Sequence, residues 1–389
     1  MGRAEMERAR AVQRYRAGES VGSICASLGR SRRWLYKWLE RESSGGQSEW
    51  SIDRSRRPQT VANRTEATIE QMVLTLRHRL IEEHRFCGAQ AIAWELEDLG
   101  IHVPAIATIN RILQRNGVVE GSTTRLPSKH RRYPAPSADD PGSVHQSDFV
   151  GPRFLRGPVR FYSLNTVDLA TSRCATIPLR SRDTEAVVPA FWAVWNRLGI
   201  PRVQQLDNEL VFFGSRLHPR ALSQVLRLCL LHDVEPLFIP PAEPWRNGVV
   251  EKFNDHWQQK FLVDEISDFG DLQSRSLVFD DKHNGRWRYQ KNGGRTPLQM
   301  LTSSRIVPRL PPSSTPPPMP LRRPTAGRYH FIRFIRSDRI LNMFGERFAL
   351  PSEAVYEYVK ATVDVSRECL EIRLGNEIID TQHYPLPKK

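Results

Sequence analysis

Pro244-Trp245-Arg246-Asn247-Gly248-Val249-Val250-Glu251-Lys252-Phe253-Asn254 is the stretch on which the reading of this chain turns. Asn247-Gly248 is a turn signal, and Val250, Phe253, Trp257 and Phe261 then recur at helical spacing, so a helix is expected to start just after it. Glu251 falls in the first turn of that helix and off the apolar stripe. A carboxylate there can complement the helix dipole and nothing more, or it can face a cleft. The second role requires other carboxylates to converge on it. Two stand upstream, each where a strand should end in polar residues: Asp148 in His145-Gln146-Ser147-Asp148-Phe149-Val150-Gly151, and Asp207 in Val203-Gln204-Gln205-Leu206-Asp207-Asn208-Glu209.

Around these residues the pattern alternates. Strands are expected over Val144–Val150, Phe161–Leu169, Cys174–Leu179, Arg202–Asp207 and Val234–Pro240, and helices over Thr184–Leu198 and Ala221–His232, before the Glu251 helix. That order predicts a mixed five-stranded sheet flanked by helices, an α/β core over 144–304. Residues 263–304 read as helical and irregular.

The ends of the chain are of other kinds. Near the N-terminus two short amphipathic helices meet at Gly29-Arg30-Ser31, which matches a helix-turn-helix. The second of them carries Arg30, Arg32, Arg33 and Lys37, as a recognition helix would. Residues 1–64 hold 14 Lys/Arg and 7 Asp/Glu, half of the chain's net charge of +14. We divide this region into a DNA-binding domain (1–42) and a linker (43–64). Residues 65–119 repeat the helix, turn, helix pattern with a less basic last helix. Residues 120–143 form a proline-containing basic linker whose Lys129, Arg131 and Arg132 suit a phosphate backbone. Eight prolines in residues 305–327 predict a stiff linker, and short alternating strands in 328–389 predict a small all-β barrel.

The strongly basic balance (pI about 9.9) favours a polyanionic partner. No apolar run approaches the roughly 20 residues of a membrane span. The five scattered cysteines include no CxxC pair and read as reduced thiols, so a cytoplasmic protein is expected.

Asp148, Asp207 and Glu251 resemble the acidic triad of the DDE transposase and retroviral-type integrase family. The resemblance runs from Val144 to Met300. It rests on Gln146-Ser147-Asp148-Phe149, Val167-Asp168-Leu169-Ala170-Thr171-Ser172-Arg173, Leu206-Asp207-Asn208-Glu209, the run from Ile239 to Asn254, and Gly293-Gly294-Arg295-Thr296-Pro297. It implies an RNase H-like core, and it makes the three carboxylates both catalytic and metal-holding. Two Mg²⁺ ions, with Mn²⁺ as a substitute, would lie about 3.5–4 Å apart, one bridged by Asp148 to the other. Arg246, Asn247 and Lys252 would join the DNA-contacting set beside Glu251. Helical modules before the core and a β-domain after it are similar to insertion-sequence transposases, which cleave at element ends and transfer the 3′-OH into target DNA. The partners implied are terminal-repeat and target DNA and further copies of the chain, a dimer or more, in a bacterial, nucleoid-associated setting.

The chain departs from the family's pattern at three points. Glu209 stands where Gly or Ser is usual after Asp-Asn, 43 residues separate Asp207 from Glu251, and Asp255 occupies a position often basic. These departures leave a second function open, that of a catalytically inactive DNA-binding regulator on the same fold.

Overall fold

The computed structural model describes residues 2–44, 50–53, 65–119, 133–155, 159–215, 218, 220–262, 265–343 and 345–387. The expectations for Lys129, Arg131 and Arg132, and for most of the 43–64 linker, lie outside the described residues. The chain divides into two compact units, residues 1–66 and 67–389.

The first unit is three helices, α1 (Arg3–Arg16), α2 (Val21–Leu28) and α3 (Arg32–Ser44). Ser20 Oγ accepts from the Ser23 N–H and starts α2. Gly29 ends it at φ +60°, in the left-handed region where a side chain would be strained. The three helices close on Ala11, Ile24, Cys25 and Leu35. The turn thus falls where the sequence placed it.

The second unit opens with α4 (Ala67–Glu82), α5 (Ala89–Asp98) and α6 (Ile106–Arg115), closed on Leu76, Leu80, Ile92, Ile109 and Ile112. A sheet follows: β1 (Val144–Phe154), β2 (Arg160–Asp168), β3 (Cys174–Leu179), then α7 (Thr184–Leu198), β4 (Val203–Leu206), the short α8 (Leu210–Phe213), α9 (Gln224–Leu231) and β5 (Glu235–Phe238). A single 3₁₀ turn, Pro244–Asn247, runs into α10 (Gly248–Lys260), and α11 (Phe269–Arg286) and α12 (Pro297–Ser303) complete the helical part. β2 and β3 pair antiparallel to β1 and to each other, while β4 and β5 run parallel to β1, in the order β3-β2-β1-β4-β5. This is the mixed, RNase H-like sheet expected. α7 and α9 cover one face through Phe191, Trp195 and Leu226, and α10 and α11 cover the other through Phe253, Trp257 and Phe279. Strands covered on both faces are buried nearly throughout, as β2 and β3 are.

The helices of 67–115 are docked on this core. Phe86 packs against His256, Trp287 and Tyr289, Arg288 pairs with Asp98, and Trp94 lies where a Cβ on Gly294 would stand (2.7 Å).

The C-terminal strands differ from a free-standing barrel. β6 (Arg328–Phe334), β7 (Ile340–Met343), β8 (Glu346–Ala349), β9 (Tyr358–Asp364), β10 (Cys369–Leu374) and β11 (Glu377–His383) follow the core, and β6 pairs parallel to β5. The result is one nine-stranded sheet, β11-β10-β9-β6-β5-β4-β1-β2-β3. Burial explains the join. β5 has only four residues, and Phe238 at its end is wholly buried, stacked on Phe331 of β6 with centroids 5.1 Å apart. Nor is the proline-rich segment a detached linker. Ile200 N–H donates to the Arg309 carbonyl, Trp192 Nε1 to that of Ser313, and Arg227 to that of Leu321, so the segment straps α7 and α9. A chain ending at Ser304 should therefore bare the apolar edge of β5 and the helices beneath the strap. We expect it to be recovered aggregated or without a cooperative melting transition; a soluble, cooperatively melting fragment would show the core to be autonomous.

Candidate active site

The register of the sheet brings the first two carboxylates together. β1 and β4 are parallel neighbours with Gln146 opposite Gln205. Two residues further along each strand, on the same side of the pleat, stand Asp148 and Asp207. Both are therefore at the carboxyl side of adjacent parallel strands, where open α/β sheets place their ligands.

Glu251 is brought in by a polar clamp. Gln205 Nε2 donates to the Arg246 carbonyl and to Asn247 Oδ1, both at 2.9 Å. Gln146 Nε2 reaches the same carbonyl, and its Oε1 accepts from the Val250 N–H at 3.2 Å. Asn247 Nδ2 donates to the Ser147 carbonyl. The start of α10 is thus tied to β1 and β4 together, and Glu251 one residue beyond Val250 follows. Farther along α10, Asn254 Nδ2 donates to Asp148 Oδ2 at 2.8 Å, and Asn254 Oδ1 accepts from Asn165 of β2. Asn165 and Asn254 are buried, which makes the position of Asp148 a property of three elements.

The electrostatics follow from crowding. Burial and then the charge of Asp207 push the Asp148 carboxyl up to about 7, with lesser contributions from Glu251 and Glu209. Asp207 is raised by burial, against the Glu209 N–H at 3.0 Å and Arg182. Glu251 is raised by burial and by Asp255. Glu209 is tied up differently. It forms an ion pair with Arg182 at 2.8 Å, and its N–H serves Asp207.

Other candidates separate by placement. Asn247 is 2% exposed, closed into the clamp. Arg246 also has other partners. It pairs with Glu243, donates to the Tyr358 hydroxyl and stacks on Tyr133 at 3.9 Å, all inside the protein. Lys252 projects from α10 with its side chain 66% exposed, 4.0 Å from Asp255. In the first unit Arg32, Arg33 and Lys37 are exposed on α3, and Arg30 pairs with Glu7. Asp168 accepts from Thr171 Oγ1 and the Ala170 N–H, a turn-closing role.

The residues that sequence reasoning missed are the clamp glutamines and Asn254, although all lie within the motifs quoted above; their amides read as polar strand and helix positions until the register is known. Among the described residues no three His, Cys, Asp or Glu are arranged to enclose an ion by themselves. A cavity of about 830 Å³ lies away from the carboxylates and is lined by Tyr133, Leu237, His330, Tyr358 and Lys360, among others. No described helix is long and apolar enough to cross a membrane.

The raised carboxyl makes a stability prediction. Asp148 titrates near 7 in the folded chain and near 4 when unfolded. Its ionisation therefore costs the folded state nothing below pH about 4, and the cost grows as pH rises to about 7. Asp148→Asn keeps an acceptor for Asn254 and removes that charge. In metal-free buffer it should raise Tm by a few degrees at pH 8, with the gain fading toward pH 5; an equal or lower Tm at pH 8 would contradict the crowding described.

Known proteins resemble parts of this chain. Residues 3–48 match the family model of a homeodomain-like domain. The integrase catalytic core of HTLV-2, solved with magnesium, is 18% identical over 41% of this chain and 97% of its own, with a TM-score of 0.33. A simian T-cell lymphotropic virus intasome chain, solved with a PP2A regulatory subunit, is 15% identical over 80% of this chain and 99% of its own, at 0.38. The BIV integrase core is 15% identical over 41% and 94%, at 0.32. The chain joins a homeodomain-like helix-turn-helix module to an α/β core of RNase H-like strand order.

Proposed function

We propose that this protein is a DDE-type DNA transposase that cuts at element ends and joins the resulting 3′-OH to target DNA. The observation that supports this most is the meeting of Asp148 and Asp207 on adjacent parallel strands, with Glu251 drawn in by a helix clamped to both. The homeodomain-like unit supports a DNA substrate.

The donor chemistry fits a divalent metal. Three carboxylates, all raised by burial and Asp148 also by its neighbours' charge, are hard oxygen ligands whose repulsion a cation relieves. Asp148, Asp207 and Glu251 would hold Mg²⁺, two ions in our reading, which would lower the charge of the phosphoryl-transfer transition state and activate the attacking oxygen. The rest falls to the chain's own residues. Asn254 orients Asp148 through Oδ2. Asp148 must shed a proton that it retains up to about pH 7 before it can serve, so the rate should fall on the acid side. Water is the nucleophile in cutting and the DNA 3′-OH in joining. Arg182 keeps Glu209 occupied beside the site and leaves the third place to Glu251.

The two glutamates can be told apart in one strand-transfer assay with Mg²⁺. Glu251→Gln should fall below about 1% of wild type, since an amide is a poor ligand for a hard cation. Glu209→Gln should keep most of the activity. An active Glu251→Gln beside an inactive Glu209→Gln would overturn the assignment, and wild-type protein that binds element ends without cutting would favour the regulator.

The first unit should bind alone. A fragment of residues 1–66 should hold end DNA with affinity that drops steeply with salt, and Arg33→Ala should weaken it. Salt-independent or undetectable binding would count against α3 as the recognition helix.

A further inference from the structure

We infer that Arg333 and Tyr358, both on the C-terminal strands, are positioning residues for the carboxylate site, so that the last strands complete the active site. The inference rests on the assignment of Asp207 and Glu251 to that site.

Arg333 lies on β6, 7% exposed, and no carboxylate pairs with it among the described residues. Its donors go elsewhere. One terminal nitrogen donates to the carbonyls of Ile239 (3.1 Å) and Ile332 (2.9 Å), the other to Asn208 Oδ1 (2.9 Å), and Nε to the Asn342 carbonyl. Asn208 Nδ2 in turn donates to the Ile239 carbonyl at 2.7 Å. One guanidinium therefore joins the end of β5 to the residue that follows Asp207. A buried cation without a counter-ion is a poor source of stability, and an apolar side chain would serve the core better. A planar fork fixing three backbone points and an amide at once is what arginine offers and lysine does not.

Tyr358, on β9, acts on the other arm. Its hydroxyl lies 2.9 Å from both carboxylate oxygens of Glu243 and accepts from Arg246 at 2.9 Å. Arg246 stacks between the rings of Tyr133 and Tyr358. The carbonyl of the same Arg246 is the acceptor on which Gln146 and Gln205 converge. A path of direct contacts thus runs from β9 through Glu243 and Arg246 to the turn that launches α10 and Glu251. Arg333 thus holds the residue after Asp207, and the turn that Tyr358 holds is bonded by Gln146 and Gln205 of the strands that lead to Asp148 and Asp207.

The test uses the full-length chain. R333K keeps the charge and loses the fork; Y358F keeps the stacked ring and loses the hydroxyl. Y384F is the control, because Tyr384 makes a comparable bond to Glu346 and its ring meets Arg220 and Phe348. Hydrogen exchange in metal-free buffer should be faster by about tenfold or more in 207–213 for R333K and in 245–252 for Y358F, with neither affected by Y384F. In strand transfer, R333K and Y358F should lower kcat about 10- to 100-fold at unchanged KM for DNA, as loss of an outer-shell partner does. Unchanged exchange in those two segments, or exchange raised evenly over β6 and β9–β11, would overturn the inference. Should the wild-type chain prove unable to join DNA, the functional reading fails, and the exchange comparison still decides whether these residues position the strand ends.

Discussion

Repulsion between carboxylates is the constraint on which the rest of this structure depends. Asp148, Asp207 and Glu251 are partly buried and each is raised by that burial; Asp148 is raised further by the charges of Asp207 and Glu251, and Glu251 by that of Asp255. Such a group stays together only where the surrounding structure over-determines it. Here the over-determination is made of neutral amides. Gln146, Gln205, Asn247, Asn165 and Asn254 all lie buried and hydrogen-bonded between β1, β2, β4 and α10. Amides can satisfy one another and the backbone without adding charge, so they fix the geometry and leave the negative field intact.

That field explains why arginines surround the site at one remove. Arg182 engages Glu209, Arg246 engages Glu243, and Arg333 donates to backbone carbonyls and Asn208. None of them pairs with Asp148, Asp207 or Glu251. A guanidinium bonded to one of the three would lower its pKa and compete with any cation bound there.

The sheet has a second consequence. Because β6 pairs with β5, the C-terminal strands are part of the same hydrogen-bonded layer as Asp148 and Asp207, and the proline-rich strap is laid over α7 and α9 between them. Proline suits that place. It needs no N–H partner of its own, while the carbonyls of Arg309, Ser313 and Leu321 between the prolines accept from Ile200, Trp192 and Arg227.

Much of this was legible in the residues themselves. Period-two and period-3.6 patterning placed β3 and α7 to the residue, the Asn-Gly turn placed the start of α10, and the three carboxylates could be named before any fold was known. β11 escaped, because Glu377–His383 is a largely exposed edge strand without a clear alternation, and α8 is too short to show a period. What the sequence could not determine was which elements meet. Local pattern reports the face a residue turns to the core, not the strand beside it. The Gln146–Gln205 register, the burial of Asn247, the inward turn of Arg246 and the joining of β6 to β5 are contacts between residues far apart in the chain. They are decided by the packing of Phe238 on Phe331 and of α10 across two strands, a property of the whole layer and of no single segment.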